Sequence, residues 1–278
     1  MRKVMFKILE PLLGKVQFYR LFKKMYVFSA RAMNFGQSGD IGNKGELNFI
    51  KIIKNYYADA KNKIIVFDVG SNIGQYVNYC IEYFGQDSLI HAFEPSPSTF
   101  KLLSENLDKL DASVVKINNI GLSDKNEVLK LYQATNKSHV VATIYERNSL
   151  TSGLQYIDYE EIVCETMDDY CKINKIEHIH LLKIDVEGHE IKVLNGGINM
   201  IRNKQIDFIQ FEFGQTNIDS RTFFLDFVNL LGSNYNLFHQ QKNGLYKVKY
   251  DVIYEVFNVT NYVAIRKGID LASKQTIR

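Results

Sequence analysis

The first segment with residues suited to chemistry is 68–74, DVGSNIG, where an apolar run gives way to an amphipathic stretch. Glycines at such a strand-to-helix junction allow a tight turn and close approach of a ligand, and the following helix offers unpaired N–H donors. Asp68 could accept a hydrogen bond from an ammonium group or a water. A ligand site is therefore predicted at Asp68, Gly70, Ser71, Asn72 and Gly74, and a turn without a ligand is the alternative.

Two further strand ends complete a nucleoside site in this prediction. Glu94, followed by Pro95, ends the second apolar run, where an acid can accept both hydroxyls of an adenosine ribose. Ser123 and Asp124 end the third run and are predicted to hydrogen-bond an adenine edge. A dinucleotide fingerprint requires Gly-x-Gly-x-x-Gly, and Asn72 replaces its second glycine. S-adenosylmethionine therefore fits better than NAD or FAD, with a solvated strand-end glutamate as the alternative for Glu94.

A second group of polar residues supplies the predicted catalytic set, which comprises Asp185, Glu187, His189 and Glu212. A reaction in which an acceptor loses a proton needs a group that takes it up, and histidine titrates near neutrality. His189 is predicted to be this base, with Asp185 orienting the nucleophile or the cationic cofactor.

Three alternatives stay open for this set. His189 is also compatible with a helix surface, and Glu187 and Glu190 with the first turn of a helix, where the dipole favours carboxylates. Asp185, Glu187 and Glu212 could instead hold a divalent cation. The leading prediction assigns no metal.

The elements that position these residues are apolar runs that alternate with amphipathic stretches, a pattern typical of β-α-β units around a parallel sheet. The predicted strands are 63–70, 88–95, 113–121, 179–185 and 206–213, with late strands near 235–240 and 259–266. Parallel strands end at one edge of their sheet, which brings the two groups together. His178 and His180 begin the fourth strand, at the opposite end, and are predicted to be structural.

Composition excludes several functional classes. A formal charge of +3 is too small to favour nucleic acid as a partner, and no run of 18 apolar residues is present to cross a membrane. Cys80, Cys164 and Cys171 are far apart and form no C-x-x-C pair, so neither a disulfide framework nor a thiolate zinc site is predicted. A reducing cytoplasm fits this composition best.

The charge is concentrated at the N-terminus, where residues 1–35 carry eight basic side chains and one acid. Apolar residues recur there at helical spacing: Met5, Leu9, Leu12, Leu13 and Val16. The prediction for 1–45 is a basic amphipathic helical extension, broken near Pro11 or Gly14, with a linker from Phe35 to Gly45, and 46–278 form the main domain. The extension is expected to pack on the domain or a partner subunit, giving a homodimer, or to contact a membrane surface.

Residues 63–215 resemble the FkbM-type family of S-adenosylmethionine-dependent methyltransferases. The resemblance rests on VFDVGSNIGQY (66–76), HAFEPSPSTF (91–100), NNIGLSDKNE (118–127), TMDDY (166–170) and LLKIDVEGHEIKVLNGG (181–197). It implies an α/β class I methyltransferase fold, Rossmann-like, with a seven-stranded sheet in the order 3-2-1-4-5-7-6 and the last strand antiparallel. It also implies O-methylation of sugars, glycans or polyketide hydroxyls.

The expected function is therefore O-methylation of a sugar hydroxyl, on a nucleotide-activated sugar or glycan intermediate, with S-adenosylmethionine as cofactor. Tyr145, Tyr156 and Tyr159 lie in a long irregular stretch, 134–160, that suits a polyhydroxylated acceptor or a packed lid. The alternatives are a polyketide or lipid hydroxyl, or a non-catalytic cofactor-binding subunit of a glycan assembly system. The expected location is the cytoplasm or the inner membrane surface.

Overall fold

The computed structural model describes residues 10–36, 45–60, 62–108, 110–111, 113–134, 141–145 and 156–271. Within these ranges the α-helices are α1 (Tyr19–Ala32), α2 (Glu46–Tyr56), α3 (Gln75–Phe84), α4 (Pro97–Leu107), α5 (Met167–Asn174), α6 (Glu190–Gly196), α7 (Ile198–Arg202), α8 (Thr216–Asp219) and α9 (Phe224–Leu231). The strands are β1 (Ile64–Val69), β2 (Ser88–Phe93), β3 (Val115–Asn118), β4 (Gly121–Ser123), β5 (Glu127–Ala134), β6 (Val141–Thr143), β7 (Tyr156–Thr166), β8 (Ile179–Ile184), β9 (Ile206–Phe213), β10 (Tyr235–Gln241), β11 (Gly244–Lys247) and β12 (Thr260–Arg266).

The larger sheet has the order β11-β10-β12-β9-β8-β1-β2-β3. Strands β3, β2, β1, β8 and β9 pair in parallel, and β12 pairs antiparallel with both β9 and β10. This arrangement confirms the predicted class I methyltransferase order 3-2-1-4-5-7-6, with β12 as the antiparallel strand. The edge strand β11, which forms a hairpin with β10, was not predicted.

Apolar side chains cover both faces of this sheet, which explains the continuous apolar runs of its strands. Phe67 on β1 and Phe211 on β9 belong to the core on one face, whereas Val66 and Phe208 belong to the core on the other, together with Phe49 of α2. Asp68 on β1 and Lys183 on β8 are polar residues near the carboxyl ends of the strands, where the predicted site lies, whereas Asp207 lies at the start of β9, at the opposite end.

A second sheet, β4-β7-β5-β6, corrects two predictions. The predicted third strand is divided, because β3 ends at Asn118 and the chain enters β4 of the second sheet at Gly121. The stretch 134–160 was expected to be irregular, but its described parts include β6 and the start of β7. Strand β7 pairs with β5 along most of its length, so its backbone groups are satisfied by segments distant in sequence.

The N-terminal extension is helical as predicted, but its α-helix starts later. Leu12 lies in a short 3-10 helix, Leu13 in a turn and Val16 in a second 3-10 helix, and the side chain of Val16 is 90% exposed. These three therefore do not form the expected apolar face, while Met5 and Leu9 fall outside the described residues. The expected linker begins with Phe35, which is buried rather than exposed; residues 37–44 are outside the described ranges. Among the helices described, none is long and apolar enough to span a bilayer.

Candidate active site

The turn after β1 lies in close contact with the backbone at the end of β8. Gly70 has φ +85°, and a Cβ there would lie 1.9 Å from the carbonyl oxygen of Asp185, so this position requires glycine. The N–H groups of Gly70 and Ser71 donate to the Phe93 carbonyl at 3.0 and 2.9 Å. Asp185 N donates to the Val69 carbonyl at 2.9 Å. The turn thus joins the ends of β1, β2 and β8 at the edge of the sheet where the site is predicted.

The other predicted residues of this turn have different roles. Asn72 adopts φ +48° and exposes its side chain. Gly74 has φ +88°, and a Cβ there would meet the side chains of Leu103 at 2.9 Å and Leu107 at 3.1 Å. Packing against α4 therefore requires a glycine at this position, and its predicted contact with the cofactor stays a prediction.

Glu94 is buried directly after β2, and each of its carboxylate oxygens accepts one backbone hydrogen bond. One accepts from the backbone N–H of Asn72 at 2.9 Å and the other from that of Ser96 at 2.9 Å. Burial raises the pKa of Glu94 to about 7, against the opposing effect of these donors. The carboxylate is therefore held in one orientation, and each oxygen keeps a lone pair that a ribose hydroxyl can use. The neighbouring Pro95 is half-buried beside β4.

Asp68 supplies an unsatisfied acceptor beside the same turn. Its side chain is buried, and its Oδ2 has no hydrogen-bond partner among the described residues. Burial raises the pKa of Asp68 to about 6, whereas the charge of Lys183 acts to lower it. Since buried polar atoms are normally paired, an ammonium group of a bound ligand is a chemically suitable partner.

A row of polar residues that the sequence analysis did not identify crosses the sheet next to Asp68. Lys183 is opposite Asp68 on β1 and opposite Gln210 on β9. Its Nζ donates to Asp185 Oδ2 at 2.9 Å. Burial alone would lower the pKa of Lys183, but the carboxylates of Asp185, Glu46 and Asp68 hold it above its usual value. Lys183 and Gln210, which interrupt apolar runs near the middle or end of their strands, were the available signal for this row.

Two side chains from the covering helices complete this row. The hydroxyl of Tyr76 on α3 donates to Gln210 Oε1 at 2.9 Å, and Lys183 Nζ lies 5.5 Å from the centre of the same ring. Glu46, the first residue of α2, accepts from Asn261 on β12 at 2.9 Å. The Tyr76 ring lies beside Lys183, and Lys183 in turn holds the Asp185 carboxylate, which is 37% exposed.

The buried side chain of Glu190 holds the loop after β8 through hydrogen bonds to its backbone. Its Oε1 accepts the N–H groups of Val186 at 3.2 Å and Gly188 at 3.1 Å, and Asn217 donates to its Oε2 at 3.4 Å. Burial raises the pKa of Glu190 to about 7. Glu187 takes a left-handed conformation, φ +53°, within this loop. Glu190 begins α6, as one alternative proposed, whereas Glu187 precedes the helix.

His189 is 6% exposed, so the surface alternative is wrong. Its Nε2 lies 3.0 Å from the Ser123 hydroxyl and its Nδ1 lies 3.1 Å from the Tyr145 hydroxyl. Burial lowers the pKa of His189 to about 4. The ring therefore links α6 to the second sheet, and with both nitrogens engaged it is poorly placed to take a proton directly from a substrate.

The remaining predicted residues are distributed around these groups. Ser123 lies in β4 bonded to His189, and Asp124 forms a 2.7 Å salt bridge with Lys192. Glu212 is half-buried on β9, opposite Asn261. Asp185, Glu187 and Glu212 do not assemble a cation site: the described ranges contain no group of three His, Cys, Asp or Glu residues arranged to bind a metal.

The two histidines at the start of β8 have structural contacts. His178 Nε2 lies 2.8 Å from Asp207 Oδ2, and His180 Nδ1 accepts from Ile65 N at 2.9 Å. Of the expected aromatic residues, Tyr145 contacts His189 and Tyr159 lies under Lys130, whose Nζ is 4.1 Å from the ring centre. The side chain of Tyr156 lies outside the described residues.

Comparison with known proteins identifies relatives of this chain. The model of the methyltransferase FkbM domain matches residues 68–252, more than half of the chain. Hexuronic acid methyltransferase AglP of Haloferax volcanii is 28% identical over 174 residues, covering 62% of this chain and 64% of that protein. Methyltransferase sdnD of Sordaria araneosa is 30% identical over 165 residues, covering 50% of this chain and 62% of that protein. The chain thus spans about three fifths of the length of these relatives.

A solved structure with a similar arrangement is methyltransferase FkbM from Methylobacillus flagellatus. It superposes with a TM-score of 0.46 at 15% identity, over 73% of this chain and 43% of that one.

Proposed function

This chain belongs to the FkbM methyltransferase family, and from that membership we propose that it transfers a methyl group from S-adenosylmethionine to a sugar hydroxyl. The observation that carries the choice of substrate is the similarity to an archaeal relative named for methylation of a hexuronic acid. The acceptor is proposed to be a nucleotide-activated sugar or a glycan intermediate.

The donor set at the carboxyl edge suits S-adenosylmethionine. The unsatisfied oxygen of buried Asp68 is a partner for the amino group of its methionine end. Glu94 is oriented by two backbone donors and suits the ribose hydroxyls. When bound, this cofactor supplies a methyl group on a positively charged sulfur. Ser123 and Asp124, predicted to contact the adenine, have protein partners in His189 and Lys192, which supports a smaller contribution from them.

Asp185 is the residue that we assign to proton acceptance. Its carboxylate is exposed to the crevice, and Lys183 holds it in a fixed orientation through a 2.9 Å bond. A positioned carboxylate can accept the hydroxyl proton as the acceptor oxygen attacks. His189 is assigned a positioning role, because it ties the loop that carries Asp185 to the second sheet through Tyr145 and Ser123.

The second sheet and β9 are proposed to form the acceptor side of the crevice. The Thr143 hydroxyl donates to the Glu187 carbonyl at 3.1 Å, so β6 lies against the loop after β8. Glu212 lies on the same face of β9 as Gln210, because it is two residues further along the strand. Carboxylates and hydroxyls of this kind suit a polyhydroxylated acceptor. We also propose that the protein is located in the cytoplasm, where its three buried cysteines would stay reduced.

Incubation of the purified chain with S-adenosylmethionine and a panel of acceptors tests this proposal. The panel contains nucleotide sugars with neutral and acidic hexoses, a polyketide alcohol and a hydroxylated lipid, and mass spectrometry detects products heavier by one CH₂ unit. We expect a methylated sugar, and none with Asp185→Asn. Methylation of the polyketide or lipid alone would contradict the sugar assignment, and binding of the cofactor without any turnover would favour the non-catalytic subunit.

A further inference from the structure

Helix α1 exposes most of its side chains to solvent. Its apolar side chains include Leu21, Met25, Tyr26 and Phe28, and each of the four is at least half exposed. Phe28 is 74% exposed, whereas Ala30, near the end of the helix, is buried. Side chains of this size normally find a partner in a folded protein, so this face is available for one.

The segment that follows α1 is fastened to the domain. Asn34 Nδ2 donates to the Gln240 carbonyl at 2.9 Å, and the Asn34 carbonyl accepts from the Thr260 hydroxyl at 3.0 Å. The Phe35 ring lies 4.5 Å from the His239 ring. Since Thr260 is opposite Phe213, the last residue of β9, this attachment lies at the carboxyl edge of the sheet. The helix is thus joined to the domain at the edge that carries the candidate active site.

The two faces of α1 differ in charge. With about 100° between successive residues, the four cations Arg20, Lys23, Lys24 and Arg31 fall within about a third of the circumference. Leu21, Met25, Tyr26 and Phe28 fall in the opposite half, whereas Val27, 39% exposed, lies among the cations and Tyr19 lies at the boundary. No acidic residue occurs from residue 11 to residue 36, and none of the four cations forms a salt bridge within the described ranges.

We propose that α1 binds the surface of an anionic phospholipid membrane and thereby holds the active-site edge near the lipid. A helix with basic residues on one face and Leu, Met, Tyr and Phe on the other lies in the interface, with its apolar face among the acyl chains and its cations at the headgroups. A protein partner would have to supply acidic groups to match these cations, and the lipid headgroups supply them directly. Fourteen residues extend about 21 Å, too short to cross the hydrocarbon core, so the helix lies on the surface.

Sedimentation of the full chain with vesicles tests this proposal. One set of vesicles contains phosphatidylcholine and phosphatidylglycerol in equal parts, and the other contains phosphatidylcholine alone. We expect binding to the first set at low salt, weak binding to the second, and a steep loss as salt screens the headgroups. Each basic residue near such a surface contributes about a fivefold gain in affinity, so Lys23→Gln with Lys24→Gln should weaken binding at least tenfold.

Two further variants separate charge from apolar insertion. Leu21→Ser with Phe28→Ser should weaken binding at every salt concentration, because it removes apolar area that salt does not screen. Lys101→Gln with Lys172→Gln makes the same charge change at exposed positions elsewhere, and it should leave binding unchanged. Thermal melting verifies that each variant is folded.

Three results would overturn the proposal. The first is absence of binding to the anionic vesicles at low salt. The second is equal loss of binding in the two lysine pairs, which would indicate a general effect of charge. The third is a dimer, observed by analytical ultracentrifugation, that Leu21→Ser with Phe28→Ser converts to a monomer, because the apolar face would then be covered by a second copy. None of these results bears on methyl transfer, which is assayed with soluble acceptors.

Discussion

Replacement of Glu94 by glutamine tests the cofactor site with little change of shape. In the native protein each carboxylate oxygen accepts one backbone N–H, from Asn72 or Ser96. The amide of Glu94→Gln has one acceptor oxygen, and its NH₂ group would face the remaining N–H. A hydrogen bond to a charged group contributes about 1.5–3 kcal/mol, so loss of the ribose contact should weaken S-adenosylmethionine binding roughly tenfold to a hundredfold.

The pH dependence of the affinity gives this prediction a second, independent readout. Because the pKa of Glu94 in the free protein is about 7, its carboxylate becomes protonated as the pH falls below that value. A protonated acid offers fewer acceptor sites to the ribose, so the dissociation constant should rise, by at most about tenfold per pH unit. This rise should be smaller in Glu94→Gln, where Asp68, whose pKa burial raises to about 6, is an acid of the proposed site that still titrates in this range.

Isothermal titration calorimetry measures both effects when it is repeated at pH values from about one unit below to about one unit above the pKa of Glu94. Glu105→Gln, at an exposed position on α4, is the matched control and should bind like the native protein. Thermal melting shows whether the loss of a backbone contact unfolds the variant. Native affinity in a folded Glu94→Gln variant, with an unchanged pH dependence, would refute the assignment of Glu94 to the ribose.

The remaining predictions concern the loop after β8 and the turn after β1. Asp185→Asn should lower turnover at least a hundredfold, the range typical of a positioned base, while calorimetry finds S-adenosylmethionine affinity within about twofold of native. His189→Asn should lower the melting temperature, yet retain more than about a tenth of the native turnover. The pH–rate profile of the native protein should contain no step from His189 near pH 6.5, since burial lowers the pKa of His189 to about 4. Gly70→Ala should destabilise by roughly 3–5 kcal/mol in denaturant unfolding because its Cβ would collide with the Asp185 carbonyl. Gly85→Ala would meet no atom within 4 Å, but with φ 60° and ψ −143° it should still cost about 1–3 kcal/mol from backbone strain alone. Burial of Glu190 raises its folded-state pKa to about 7, so its contribution to stability is present below the unfolded pKa and is lost as the pH rises through 7. Between pH 5 and 8 the unfolding free energy of Glu190→Gln should therefore rise by up to roughly 3 kcal/mol relative to that of the native protein. Parallel plots of unfolding free energy against pH for the two proteins would contradict this.

The central sheet and the turn after β1 could be predicted because their signals are local. Each strand of the parallel core is a short apolar run, and Gly70 stands where such a run ends. The second sheet could not, because β5 and β7 pair across a long stretch of chain, and their pairing is not encoded in either segment alone. The division of the third strand between the two sheets followed from the same missing information.

The roles of individual site residues depended on contacts that spacing does not specify. His189 lies within the motif 181–197 at the expected edge of the sheet. Its burial depends on contacts with Tyr145 and with Ser123 of the second sheet, which are distant in sequence. Lys183 was read as part of a strand, and its pairing with Asp185 becomes evident only when Tyr76 and Glu46 cover it. Residue type thus located the crevice, and packing determined which side chains face it.

Transfer of an isotope-labelled methyl group shows which atom of the acceptor this chain methylates. The purified chain is given S-adenosylmethionine that carries a stable carbon isotope in its methyl group, together with the acceptor that the panel selects. Nuclear magnetic resonance of the product then identifies the atom to which the labelled carbon is bonded. We expect a labelled methyl group on a sugar oxygen, formed by the native chain and not by Asp185→Asn. A label on nitrogen or carbon, or equal product from both proteins, would contradict O-methylation by this site.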